Sequence, residues 1–187
     1  MIPGTAHLAQ VLDAYRVRTD AERRDVARVR ALSGPGVWSR SSTLHVTGSA
    51  IVVHPPTRRV LLRWHERMQS WLQVGGHADP GETDPFAIAV REAREETGLA
   101  DLVAWPDAEH PTLVHAVVVP VPAGNGEGPH EHADLRFVLA TEQPGAIVEE
   151  SAHARLRWLT LDNAIALAAE DNLRTTLERV GELFVPV

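Results

Sequence analysis

The chain of 187 residues contains no cysteine. Disulfides, thiolate metal ligands and cysteine nucleophiles are excluded together by that absence. Lysine is missing too. All 18 basic residues are arginine, so neither Schiff-base chemistry nor a P-loop lysine is available. No stretch approaches about eighteen consecutive apolar residues, the length that reads as a membrane span. Residues Met1 to His7 show no basic n-region followed by an apolar one, and a cytoplasmic protein without a membrane partner is expected. Positive charge is also in short supply. With 18 basic against 25 acidic residues the formal charge is −7, which argues against a protein that holds nucleic acid by neutralising its phosphates.

What remains is an ordinary globular mixture, 44 % hydrophobic and 23 % charged, in a length that suits one domain with a modest extension. Residues 1–36 read as an N-terminal helical extension. Leu8, Val11, Leu12 and Tyr15 recur at i, i+3, i+4 and i+7, with Thr5 as N-cap. A second helix from near Asp20 turns Val26, Val29 and Leu32 inward, and Ser33-Gly34-Pro35-Gly36 stops it. Its arginines Arg23, Arg24, Arg28 and Arg30 are interleaved with Asp20, Glu22 and Asp25, the composition of a solvated face. These helices either cover one face of the domain or form the contact of a homodimer. In residues 37–187, β-branched and apolar runs predict strands over 43–54, 59–63, 71–74, 113–121, 135–141 and 155–159. A Gly/Pro loop spans 122–129, and helices close the chain near 162–170 and 172–183, the last able to stop at Gly181. Trp71 and Trp158 fall in strands and are expected in the core. Strands mixed with helices make an α/β (α+β) layer fold.

The informative segment is 75–99. Asp84 suits an N-cap, Pro85 the first helical position and Gly98 the left-handed residue past the end. Phe86, Ala89, Val90 and Ala93 form the buried stripe. On the other face Glu92, Glu95 and Glu96 stand at i, i+3 and i+4. Like charges so placed cost a helix a few tenths of a kcal/mol per pair, and anions at its C-terminal end oppose the macrodipole. Such a row is either a solvated acidic face relieved by Arg91 and Arg94, or a seat for a hard cation such as Mg²⁺ or Mn²⁺. Gly75-Gly76 lets backbone approach a ligand closely, and Glu82 stands near enough to pair with Arg91.

From Gly76 to Leu99 the residues resemble the signature box of Nudix hydrolases, G-x5-E-x7-R-E-U-x-E-E-x-G-U with U apolar. Gly76, Glu82, Arg91, Glu92, Ala93, Glu95, Glu96, Gly98 and Leu99 take the specified places, with eight residues where the box has seven between Glu82 and Arg91. The resemblance implies an α/β/α sandwich around a mixed β-sheet. It also implies Mg²⁺- or Mn²⁺-dependent hydrolysis of a diphosphate bond in a nucleoside diphosphate linked to another group, by water attack on phosphorus. By the same resemblance Glu95 and Glu96 are the main metal ligands, joined by the Gly76 carbonyl. Glu92 is a further ligand or orients the water, Arg91 braces the loop through Glu82, and the general base is a box glutamate or one of Glu149 and Glu150.

His130, His132 and Asp134 alternate and so share one face of a strand. With His77 they make a second, imidazole-bearing metal site, a phosphate grip, or a hydrogen-bonded polar edge. As substrate contacts, His77 and His132 would act with Arg63, His65 and Arg67, which follow the second strand. A catalytically silent Nudix-fold binding module is the rival reading, yet it would be expected to have lost a box acid. An isopentenyl diphosphate isomerase would need a cysteine and is excluded. Neither the downstream proline of ADP-ribose hydrolases nor the upstream pattern of coenzyme A hydrolases is present. Oxidised nucleotides, dinucleoside polyphosphates, nucleotide sugars and nucleotide cofactors therefore stay open as substrates.

Overall fold

A computed structural model describes residues 3–124 and 128–185, so 125–127 of the expected loop over 122–129 lie outside the described residues. In chain order the elements are α1 (Pro3–Ala14), α2 (Asp20–Ala31), β1 (Leu44–His54), β2 (Arg59–His65), β3 (Ser70–Leu72), β4 (Val74–His77), α3 (Pro85–Thr97), β5 (Val103–Ala104), β6 (Leu113–Val121), β7 (His130–Ala140), β8 (Leu156–Thr160), α4 (Leu161–Leu167) and α5 (Asp171–Leu183). The strands form an eight-stranded mixed sheet.

The sheet is organised around β1, whose residues 45–53 are all buried. A strand covered on both faces reads as a continuous apolar run, and β1 largely does. Its alternate side chains enter different cores: Val46, Ala50 and Val52 one, Ile51 and Val53 the other. Along one edge β1 pairs in parallel with β7, and along the other it pairs antiparallel with β4 and then β2. Residues of α1, α2 and α3 complete the first core, and residues of α4 and α5 complete the second. The result is the expected three-layer sandwich. Gly48 makes the α3 contact: a Cβ there would stand 2.3 Å from the Pro85 carbonyl oxygen and 2.9 Å from the Ala89 nitrogen.

Several local expectations are corrected. Thr5 lies inside α1, which already runs from Pro3, a residue whose fixed φ suits a first turn. The N-cap of α2 is Thr19, whose hydroxyl accepts from the Glu22 amide. Glu22 is not part of a solvated face. It is 3 % exposed and accepts from Tyr15 Oη at 2.7 Å, the Arg18 amide at 3.0 Å and Arg179 Nη2. Arg179 also donates to Tyr15 Oη (2.8 Å) and the Val114 carbonyl (3.2 Å), so the N-terminal helices are fastened to α5 and β6 by one buried ion pair. The run 71–74 is two strands: Ser70–Leu72 pairs with β2, and Val74–His77 pairs with β1. The strand expected from 135 begins at His130, and Gly181 lies within α5. In α3, Ile88, Ala89 and Ala93 are fully buried while Phe86 and Val90 are half-buried. Trp71 and Trp158 are half-buried against core residues. Among the described residues no helix is long and apolar enough to cross a membrane.

Candidate active site

The caps of α3 form as their chemistry dictates. Asp84 accepts from the Phe86 and Ala87 amides, and Gly98, at φ 71°, donates to the Arg94 carbonyl. Between these caps Arg91 gathers the box. Its Nε and Nη2 donate to the two Glu82 carboxylate oxygens at 3.0 and 2.9 Å, and Nη2 also donates to the His77 carbonyl at 2.8 Å. Its Nη1 donates to Glu92 and Glu95, both at 3.0 Å. The Arg91 hydrogen bond holds the Glu82 carboxyl below its ordinary range.

The segment Gly75-Gly76 of β4 lies against this helix. The Gly75 amide donates to Glu96 Oε2 at 3.0 Å, and a Cβ on Gly76 would come within 2.6 Å of the Glu92 carboxylate. Burial pushes the Glu96 carboxyl up to about 7, even though the Arg63 charge and the Gly75 amide oppose it. Glu92 is raised as well, by burial first. Arg63 Nη1 lies 3.3 Å from Glu96 Oε1, and its Nη2 donates to Glu150 Oε2 at 2.8 Å. Glu150 is thereby brought beside Glu96. Glu149 instead accepts from the Leu156 amide at 3.1 Å, and the Glu95 side chain is 57 % exposed. Glu92, Glu96 and the Gly76 main chain offer oxygen donors only, the kind that suits a hard divalent cation.

Beside the acids opens a cleft of about 340 Å³, whose lining includes Glu92, Gly76, His77, His132, His65 and Arg67. Of the residues read as substrate contacts, only Arg63 is not part of this lining. No tryptophan lines it. In its floor Asp134 accepts from Thr47 (3.0 Å), Ser49 (2.7 Å), Gln73 (3.2 Å) and Arg136 Nε (2.7 Å); against burial, the Arg136 charge first and then the bonds from Arg136, Ser49 and Thr47 keep its carboxyl below the ordinary range. His45, Thr47, Ser49, Gln73, Arg40 and Arg136 were not singled out by sequence. A signal was there: His45, Thr47 and Ser49 are polar at every second position of an apolar strand. Parallel pairing sets them against His132, Asp134 and Arg136.

A sequence model of the NUDIX domain matches residues 44–180. The chain belongs to the NUDIX domain family. Among Nudix relatives, the mouse bis(5'-nucleosyl)-tetraphosphatase [asymmetrical] is 26 % identical over 133 residues, covering 64 % of this chain and 75 % of its own. The Escherichia coli dihydroneopterin triphosphate pyrophosphohydrolase superposes with a TM-score of 0.54 at 22 % identity, over 72 % of this chain and 92 % of that one. A Caenorhabditis elegans Ap4A hydrolase binary complex gives 0.55 at 17 %, over 73 % and 95 %. At such identities the two structures speak for the Nudix fold. Helices α1 and α2 precede the matched segment.

Proposed function

We propose that this Nudix protein hydrolyses a phosphoanhydride bond in a nucleoside diphosphate linked to another group, with Mg²⁺ or Mn²⁺ held by Glu92, Glu95, Glu96 and the Gly76 carbonyl. One observation carries the reading: two half-buried carboxyls, both raised first by desolvation, stand against a Gly-Gly segment that opens on a cleft lined by Arg40, Arg67 and Arg136. A polyanion suits that lining, and the names of the relatives, hydrolases of dinucleoside tetraphosphates and of a pterin triphosphate, support a polyphosphate substrate. The cation, when bound, neutralises phosphate charge and acidifies a water. Arg91 holds Glu92, Glu95 and the Glu82 loop in register. Glu150, placed beside Glu96 by Arg63, is the better placed of the two loop acids to take the proton of the attacking water. His65, His77, His132 and Arg67 would contact substrate from the cleft wall, and Arg63 would reach phosphate oxygens from between its two acids. Residues 1–36 act as an extension to a Nudix domain over 37–187.

The test is turnover of dinucleoside polyphosphates, nucleoside triphosphates and nucleotide sugars with Mg²⁺ or Mn²⁺, with ¹⁸O-water locating the attacked phosphorus. Glu92→Gln and Glu96→Gln should each lower kcat by at least about a hundredfold, or about 2.7 kcal/mol of transition-state stabilisation. If both variants stay within about threefold of wild type, the helix is not the seat of turnover and the silent binding module takes its place.

A further inference from the structure

A second cluster, built of imidazoles alone, shares the cleft with Glu92. His45 of β1, His77 of β4, and His130 and His132 of β7 each offer one ring nitrogen, and these four atoms lie within 4.8 Å of one another. His132 Nε2 is 3.1 Å from His77 Nε2 and 3.1 Å from His130 Nε2. A ring nitrogen carries one hydrogen or one lone pair, so a single Nε2 serves two such neighbours poorly by hydrogen bonding alone. Three lone pairs aimed at one cation are served well. A tetrahedral site with metal–nitrogen distances of about 2.0–2.1 Å puts its nitrogens about 3.3–3.4 Å apart, close to the 3.1 Å of the two Nε2 pairs and inside the 4.8 Å that bounds all four atoms.

The far sides of two rings are already oriented. His45 Nδ1 lies 2.9 Å from the Ser42 carbonyl and His130 Nδ1 lies 2.9 Å from the Gly128 carbonyl. A carbonyl only accepts, so each Nδ1 carries the hydrogen and each Nε2 is the ligand atom. The neutral imidazole is the form that binds metal. Asp134, which alternates with the two β7 histidines, is committed to Thr47, Ser49, Gln73 and Arg136.

We propose that His45, His77, His130 and His132 form a site for a borderline divalent transition-metal ion of the Zn²⁺ class, separate from the oxygen donors of the box. Imidazole ligands select Zn²⁺, Co²⁺ or Ni²⁺ over Mg²⁺. The ion would tie β1, β4 and β7 together and place positive charge in the cleft wall, where His77, His130 and His132 stand.

The test uses full-length protein stripped by chelator and held in excess Mg²⁺. Calorimetric titration with Zn²⁺ should give one ion per chain, and Co²⁺ should develop the intense visible absorption of a four-coordinate site. His132→Ala and His77→Ala should each weaken Zn²⁺ by at least about a hundredfold. His130 is at the rim, so His130→Ala supplies the same reading if either inner variant fails to fold, and circular dichroism of the metal-free proteins reports folding. Glu96→Gln should leave Zn²⁺ affinity within about threefold. Histidine variants that bind Zn²⁺ like wild type, displacement of Zn²⁺ by Mg²⁺, or loss of Zn²⁺ binding in Glu96→Gln would each overturn the proposal.

Discussion

Two glutamates are taken out of water in this fold, and they are treated in opposite ways. Burial works to raise the Glu22 carboxyl, but Arg179, the Arg18 amide and Tyr15 outweigh it and hold it at about 2. At Glu96 burial wins and the carboxyl rises to about 7. Depth alone does not separate them, since the Glu96 side chain is only 14 % exposed. Donor supply does. Glu22 receives a guanidinium, a phenol and an amide in tight hydrogen bonds, and Tyr15 is itself pushed up to about 12, first by burial and then by its bond to Glu22. Glu96 has one amide and an arginine that it shares with Glu150. A carboxylate closed by its own protein holds the fold together; one left short of donors is the kind that the proposed function needs for a cation.

That contrast breaks first at Glu22. Glu22→Gln leaves the Arg179 guanidinium, 4 % exposed, without its counter-charge, and should cost about 3–5 kcal/mol in urea unfolding. Glu96→Gln without divalent metal should go the other way. Removing a charge that burial disfavours leaves stability equal or raises it by up to about 1 kcal/mol, while Mg²⁺ affinity falls. A Glu96→Gln protein that melts well below wild type would place Glu96 with Glu22 as a structural acid.

The pH dependence sharpens the same contrast. Glu22 sits at about 2 folded against an ordinary value of 4.5. Its contribution is complete above 4.5 and lost as pH falls toward 2, so Glu22→Gln should flatten the acid limb. Glu96 sits at about 7 folded against 4.5. It favours the folded state below 4.5, and that advantage disappears as pH rises from 4.5 to 7. Buried His115 and half-buried His77 and His132 are all held low by desolvation and work with the opposite sign as pH drops below 6.5. The difference between wild type and Glu96→Gln, measured in chelator at each pH, isolates the glutamate. The smallest effect is expected at Glu82, because Arg91 keeps Glu92, Glu95 and the His77 carbonyl after Glu82→Gln. A loss of about tenfold or less in kcat is expected, and a hundredfold loss would make Glu82 more than a brace.

The box helix was legible because its signals are local: Asp84, Pro85 and Gly98 act within a few residues of themselves. The acids were legible because their i, i+3, i+4 spacing is local too. Glu22 was misread for the converse reason. Its neighbours in sequence are arginines on a helix surface, while its partner Arg179 is 157 residues away. The alternation of His130, His132 and Asp134 was legible as one face of a strand, but the strand itself was placed only from 135, because a strand face turned to a cleft carries the same polar residues as one turned to solvent. The polar alternation of His45, Thr47 and Ser49 in an apolar strand gained its meaning only when the register with β7 set His45 opposite His132.

The parallel pairing of β1 with β7 also sets an order of events during synthesis. A nascent chain that has emerged to residue 99 holds β1, the Gly-Gly segment and the whole box helix, joined by near-neighbour contacts. The cleft floor is still missing, because Asp134 lies 87 residues beyond Thr47, the partner it closes on. Closing so long a loop is slow compared with docking a helix on an adjacent strand. The growing protein therefore carries its box acids before it has a cleft beside them, and it becomes able to enclose a ligand only when β7 slides in beside β1.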